Sequence, residues 1–162
     1  MQLETLPQLV CVCASLKRAS RSVSRLYERA LGPSRLSVPQ FTLLYVLARQ
    51  PLVQGMIAEL LTIDRTTLTR TLAAMERRGL IRAQAGEDKR ECHWLITPAG
   101  TKALDLARPR WEQVQEKLRT RLGVERWELL INELTNVAAA ARMRALDGVH
   151  RFRTRKTPPP LL

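Results

Sequence analysis

The residues whose types and spacing suggest chemistry lie in one stretch, Asp64-Arg65-Thr66-Thr67-Leu68-Thr69-Arg70-Thr71-Leu72-Ala73-Ala74-Met75-Glu76-Arg77-Arg78-Gly79. Their chemistry is charge and hydrogen bonding, not bond making: guanidinium groups fork onto phosphates or guanine edges, and hydroxyls bond either. At about 100° per residue, Thr66, Arg70, Ala73 and Arg77 share a face, with Thr67 and Thr69 on its flanks. Leu68, Leu72, Met75 and Gly79 form the opposite, apolar stripe. Asp64 is placed to accept from the free N–H groups of the first turn, and Gly79 to adopt the left-handed conformation that ends a helix. A solvated amphipathic helix would show the same pattern, so the neighbouring elements decide between the readings.

Upstream, Gly55-Met56-Ile57-Ala58-Glu59-Leu60-Leu61 is a short helical run, joined by Thr62-Ile63 to the helix above, which is the spacing of a helix-turn-helix. Downstream, Leu80–Gln84 and Cys92–Ile96 read as short strands around a polar loop containing Asp88, Lys89 and Arg90. The fold class expected is mainly α with a small β-hairpin wing (α+β): a winged helix-turn-helix joined to a helical dimerisation region. The stretch presumed to enter DNA comprises Arg65, Thr66, Thr67, Thr69, Arg70 and Arg77, with Asp88, Lys89 and Arg90 at the wing tip.

Composition agrees with a polyanionic partner. The chain has 162 residues, 45% of them hydrophobic, and a formal net charge of +12. So large an excess of positive charge favours nucleic acid. No run of some eighteen apolar residues is long enough for a transmembrane helix, and the N-terminus lacks the order of a signal peptide. The expected location is the cytoplasm, with no membrane partner. Three cysteines, Cys11, Cys13 and Cys92, cannot all pair, which fits a reducing compartment. His93 and His150 have no zinc-like spacing to these cysteines, so neither a metal nor a cofactor is expected. Glu125, Glu128 and Glu133 read as a solvated face, and neither a phosphate-cradling glycine loop nor a Ser-His-Asp pattern is present; no enzyme is expected.

The remaining elements must position the interface. A first helix from Leu9 to Ala30 carries Val12, Cys13, Leu16, Val23, Leu26 and Tyr27 on one face and ends at Gly32-Pro33. Ser37-Val38-Pro39-Gln40 has the spacing of a capping box and opens a second helix with Phe41, Leu44, Tyr45 and Ala48 inward, closed by Gln50-Pro51. Thr97-Pro98 opens a long helix with a stripe of Ala103, Leu104, Ala107, Trp111, Val114, Leu118 and Leu122, kinked at Pro109. After Gly123 a last helix carries Trp127, Leu130, Ile131, Leu134, Val137, Ala138, Ala141 and Ala145. These apolar faces exceed what a winged helix needs, so residues 1–34 and 101–148 are assigned to dimerisation, residues 35–100 to DNA binding and residues 149–162 to a basic, disordered tail. A dimer would offer two recognition helices to successive major-groove faces.

The order of elements, with Leu60-Leu61-Thr62-Ile63-Asp64-Arg65-Thr66-Thr67-Leu68-Thr69-Arg70, Arg77-Arg78-Gly79-Leu80-Ile81, Asp88-Lys89-Arg90 and Ile96-Thr97-Pro98-Ala99-Gly100, closely resembles the MarR family of bacterial transcription regulators. The resemblance runs from about Leu9 to Asp147. It implies a homodimer that binds double-stranded DNA at a pseudo-palindromic operator, usually as a repressor, and that lets go when a phenolic or other small ligand, or an oxidant, acts where the two regions meet. It also implies that Arg90 reaches the minor groove and that Asp88 orients it. Val53 departs from the pattern, standing where Ser or Thr usually caps the first helix of the motif. A narrower resemblance, to the branch that senses organic hydroperoxides, rests on Cys13 lying fourteen residues before Tyr27 and implies a redox role for that pair; an inert, packed Cys13 is the plainer alternative. Two other functions share the composition: a sequence-nonspecific architectural nucleic-acid binder, and a winged helix used only for protein contacts.

Overall fold

The computed structural model of the chain describes residues 10–86 and 92–142. The wing tip with Asp88, Lys89 and Arg90, and the tail predicted to be disordered, lie outside the described residues. Along the chain run α1 (Val12–Leu31), a 3-10 turn (Gly32–Ser34), α2 (Val38–Leu47), β1 (Leu52–Val53), α3 (Gln54–Leu61), α4 (Arg65–Arg77), β2 (Ile81–Ala85), β3 (Cys92–Ile96), α5 (Pro98–Leu122) and α6 (Val124–Arg142). The mainly helical class with a hairpin is the one the sequence predicts.

Local rules explain most boundaries. Ser37 and Gln40 form the reciprocal capping box at the start of α2: the Gln40 N–H donates to Ser37 Oγ, and the Ser37 N–H donates to Gln40 Oε1 at 3.2 Å. Gly79 stands at φ +67 just beyond α4, so it turns the chain and does not extend the apolar stripe predicted for it. Gly123 at φ +84 does the same between α5 and α6. Helix α5 continues through Pro109 as one helix. Thr62, non-glycine at φ +51, ends α3 and aims the chain into the turn before α4.

The hairpin has a third strand that sequence patterning misses. Two residues, Leu52 and Val53, pair antiparallel with Trp94 and His93, so the sheet order is β1-β3-β2. On the other side Ile81 faces Ile96 and Ala85 faces Cys92. Val53 therefore leads into α3 from a strand, its backbone paired with His93, and α3 starts without a side-chain cap.

The chain divides within α5, between Glu116 and Lys117, into two units. In the first, Leu31, Leu43, Leu44, Ile57, Leu68, Leu72, Met75, Ile81 and Leu104 are fully buried. Leu43 and Leu47 join the predicted Phe41 and Leu44 inside, while Ala48 is exposed, because α2 is covered on more than one side. Phe41, Tyr45 and Trp111 form an aromatic cluster with ring centroids 5.6–6.2 Å apart. In the second unit α6 exposes nearly every side chain, among them Leu130, Ile131, Leu134 and Val137. No helix among the described residues is long and apolar enough to cross a membrane.

Candidate nucleic-acid interface

Helix α4 is anchored from one side and open on the other. Leu68, Leu72 and Met75 are at most 1% exposed, and each such side chain stabilises the docked helix by about 1.5–3 kcal/mol. Thirteen residues long, the helix spans about 20 Å, and its diameter of about 10–12 Å matches a major groove roughly 12 Å wide. Arg65, Thr66, Thr67, Thr69, Arg70 and Arg77 are all exposed, as predicted. The guanidinium groups of Arg65, Arg70 and Arg77 have no hydrogen-bond or ion-pair partner among the described residues. Arg70 and Arg77 share the face opposite the buried side chains and Arg65 stands at the N-terminal edge of the helix, so these cations, left without a counter-charge among the described residues, are free to take phosphate or base-edge acceptors.

The threonines differ from one another. Asp64 caps the helix through Oδ1, which accepts from the Thr67 N–H at 2.8 Å. Hydrogen bonds from the Thr67 side chain and N–H hold the Asp64 carboxyl below its usual range. Thr67 thus serves the cap. Thr69 Oγ1 donates to the Arg65 carbonyl at 2.8 Å and accepts from Gln54 Nε2 at 2.7 Å. Its hydroxyl is committed to the protein, which makes Thr69 a link between α3 and α4 before it is a DNA contact. Thr66 lies one turn before Arg70 on the open face.

Three positioning residues were given no role by sequence reasoning, although Arg78 and Gly100 stand in the motifs that carry the family resemblance. Gln54, the first residue of α3, holds Thr69 as described. Arg78 donates to Gln40 Oε1 at 3.0 Å and to the Arg35 carbonyl at 2.9 Å, tying the end of α4 to the start of α2. Gly100 is the third: a Cβ there would run into the Leu80 carbonyl and Ile96 Cγ1. Thr97 closes the same corner. Its Oγ1 donates to the Gly79 carbonyl at 2.6 Å and accepts from the Gly100 N–H at 3.0 Å, while its own N–H reaches the Leu80 carbonyl at 3.1 Å. The motif Thr97-Pro98-Ala99-Gly100 is thus the clamp that locks α5 to the turn between the recognition helix and the wing. For Gln54 and Arg78 no local signal existed, since their partners lie fifteen and thirty-eight residues away.

Within one chain the redox candidates Cys13 and Tyr27 lie apart, so only a partner chain could bring them together. Cys13 is exposed in the single chain near the start of α1, and Cys11 and Cys92 are exposed as well. Tyr27 is buried, and burial pushes its phenol upward, so it stays protonated. Fourteen residues of one helix hold the two about 21 Å apart. Among the described residues no group of three His, Cys, Asp or Glu side chains could hold a metal ion.

A helix-turn-helix followed by a hairpin, with the second helix exposed along a cationic ridge, defines a winged-helix protein. A model of the MarR family matches residues 36–91. The transcriptional regulator HosA of Escherichia coli O157:H7 is 34% identical over 99 residues, covering 59% of this chain and 73% of that protein. The Mycobacterium tuberculosis transcriptional regulator MosR, in complex with DNA, superposes with a TM-score of 0.72 at 36% identity over 82% of this chain and 99% of that one. A transcriptional repressor, CouR, bound to a 23-mer DNA duplex, gives a TM-score of 0.73 at 27% identity, covering 79% of this chain and 92% of that one. The chain belongs to the MarR family of winged helix-turn-helix transcription regulators, a family of DNA-binding proteins and not of enzymes.

Proposed function

We propose that the chain is a homodimeric repressor that reads a pseudo-palindromic operator and is released by a small ligand or an oxidant. The observation that carries this reading is the exposed pair Arg70 and Arg77, which lacks counter-charge among the described residues while the opposite face of the same helix is docked. Arg70, near the middle of α4, reaches base edges; Thr66 and Arg77 follow the backbone on either side. Arg90, oriented by Asp88 with Lys89 beside it, enters the minor groove. Residues 1–34 and 101–148 join the two protomers, supported by the exposed apolar side chains of α6. The basic tail, residues 149–162, adds nonspecific attraction to phosphate. CouR, similar in fold and 26% identical, is known bound to p-coumaroyl-CoA, which supports a small-molecule effector for this chain too.

The test is the affinity of the full chain for its footprinted genomic site against a scrambled duplex of equal length, read by fluorescence anisotropy at physiological salt. A regulator binds its site roughly 10³-fold or more tightly. Equal affinities would make the protein an architectural binder, and salt-insensitive or absent binding would leave a protein-contact module. For the oxidant, the accessible thiol of Cys13 is the feature in favour. Organic hydroperoxide lowers operator affinity, thiol reductant restores it, and Cys13→Ser abolishes the response where Cys11→Ser does not. Affinity unchanged through stoichiometric peroxide leaves the ligand as the switch.

A further inference from the structure

The threonines of α4 are Thr66, Thr67, Thr69 and Thr71, and their hydroxyls are engaged unequally. Thr66 is exposed and its hydroxyl has no partner among the described residues, so its proton is free for a phosphate. Thr67 serves the cap with Asp64, and Thr71, half-buried, donates through Oγ1 to the Thr67 carbonyl at 2.9 Å. Thr69 is exposed, yet its hydroxyl is engaged on both sides. Oγ1 donates its only proton to the Arg65 carbonyl one turn back at 2.8 Å and accepts from Gln54 Nε2 at 2.7 Å. With that proton committed, the hydroxyl can bond none of the acceptors of a major groove, which are guanine N7 and O6, adenine N7, thymine O4 and the phosphate oxygens. The other branch at Cβ is a methyl group. The two hydrogen bonds fix χ1 and turn Oγ1 toward the helix backbone and α3, so the Cγ2 methyl is the atom left to meet a base.

We infer that Thr69 reads a thymine of the operator through its methyl group, and that Gln54 positions it for this contact. The inference rests on the regulator reading above and names one base of the operator together with the residues that select it. Among the four bases only thymine presents a C5-methyl group in the major groove, and apolar contact with that group is open to a side chain that has no free donor. Thr69 flanks the face formed by Thr66, Arg70 and Arg77, and stands next to Arg70, whose unpartnered guanidinium suits the N7 and O6 of guanine. Neighbouring Cα atoms are about 3.8 Å apart and successive base pairs about 3.4 Å apart, so the thymine lies within about two base pairs of that guanine. Gln54 acts on the DNA through Thr69. Half-buried at the first position of α3, it pins a side chain fifteen residues further along the chain, and without its amide the Thr69 side chain loses one of the two bonds that set its rotamer.

The experiment uses the full chain and its footprinted operator, in which each thymidine is replaced singly by deoxyuridine, which keeps every hydrogen-bonding group of the base and lacks only the methyl. Fluorescence anisotropy gives, for each position, the ratio of affinities for the thymine and uracil duplexes. At one thymine of each half-site the wild-type ratio is about four, the effect of burying one methyl group. Thr69→Ser keeps the hydroxyl and its two partners, and removes the discrimination at that thymine. Thr69→Val keeps a methyl, loses the hydroxyl and retains the discrimination. Gln54→Ala lowers the ratio at that thymine and leaves the ratios at the other thymines as they were, a selectivity that a general loss of stability would not produce. Discrimination that survives Thr69→Ser overturns the methyl contact, and discrimination lost in Thr69→Val makes the hydroxyl the reader instead. A ratio indifferent to Gln54→Ala overturns the positioning role. Equal affinity of the wild type for operator and scrambled duplex overturns the regulator reading, and this inference falls with it; a retained preference for the operator with no uracil-sensitive thymine overturns this inference alone.

Discussion

Helices α4 and α6 both turn side chains to solvent, but they do so in opposite ways. Helix α4 buries Leu68, Leu72 and Met75 and exposes arginines and threonines, so within a single chain it is satisfied except for its unneutralised charge. Helix α6 exposes Leu130, Ile131, Leu134 and Val137 at 37–45%, and no side chain described on it is buried. Scattered exposed leucines need no explanation, but a contiguous apolar stripe along a helix marks a surface meant to be covered. One helix therefore lacks an anion and the other lacks a hydrophobic partner. The first need is met by nucleic acid and the second, in the reading proposed here, by another copy of the chain.

The comparison breaks most visibly if the two needs are separated. Ile131→Asp combined with Leu134→Asp places carboxylates in the α6 stripe; the protein is expected to become monomeric by analytical ultracentrifugation and to lose about 10²–10⁴ in operator affinity, the gain that linked binding modules provide. Its half-site affinity should stay as in the wild type, since α4 is untouched. A variant that stays dimeric would show that the stripe is not the interface.

Next in size is the ridge itself. Arg70→Ala should cost about 1–3 kcal/mol on the operator and less on random duplex if the guanidinium reads a guanine edge. Equal losses on both would make Arg70 a phosphate clamp. Arg90→Ala should weaken operators with A·T-rich flanks more than those with G·C-rich flanks, because narrow grooves concentrate negative potential.

Gly100→Ala probes what holds the ridge in place. The added methyl meets the Leu80 carbonyl, and forcing apart a packed corner costs about 1–3 kcal/mol. The thermal midpoint should fall, with a larger loss of operator affinity than any effect on dimerisation. Unchanged stability would mean that the clamp around Thr97 yields freely.

The smallest effect expected is the acid dependence of the α4 cap. Asp64 has a depressed folded-state pKa, so the unfolded chain binds its proton first as pH falls. The stabilisation is complete above the ordinary aspartate range and lost as pH drops through the lowered folded value. Because Asp64 is fully exposed, the effect is slight. Asp64→Asn keeps a capping side chain without the charge, and its thermal midpoint should fall less than that of the wild type across this acid window. Identical acid profiles would remove the carboxylate from the account.

What could be read in the sequence was what short-range geometry controls. The capping box at Ser37, the caps at Asp64 and Thr97, the turn at Gly79, and the opposed faces of α4 follow from residues three or four apart, whose relation is set by the helix repeat. The family resemblance also lay in contiguous motifs. The class of protein and the polar face of α4 were therefore legible before any coordinates. Tertiary structure decided what depends on distant partners. It paired Leu52 and Val53 with Trp94 and His93, turning a missing cap into a strand. It committed Thr69 to Gln54, enlisted Arg78 to hold Gln40 and Arg35, and buried Leu43 and Leu47 on a helix apolar on nearly every side. Each of these joins groups that many residues of chain separate. The free energy of such a contact depends on the packing of everything between them, and no local pattern encodes that.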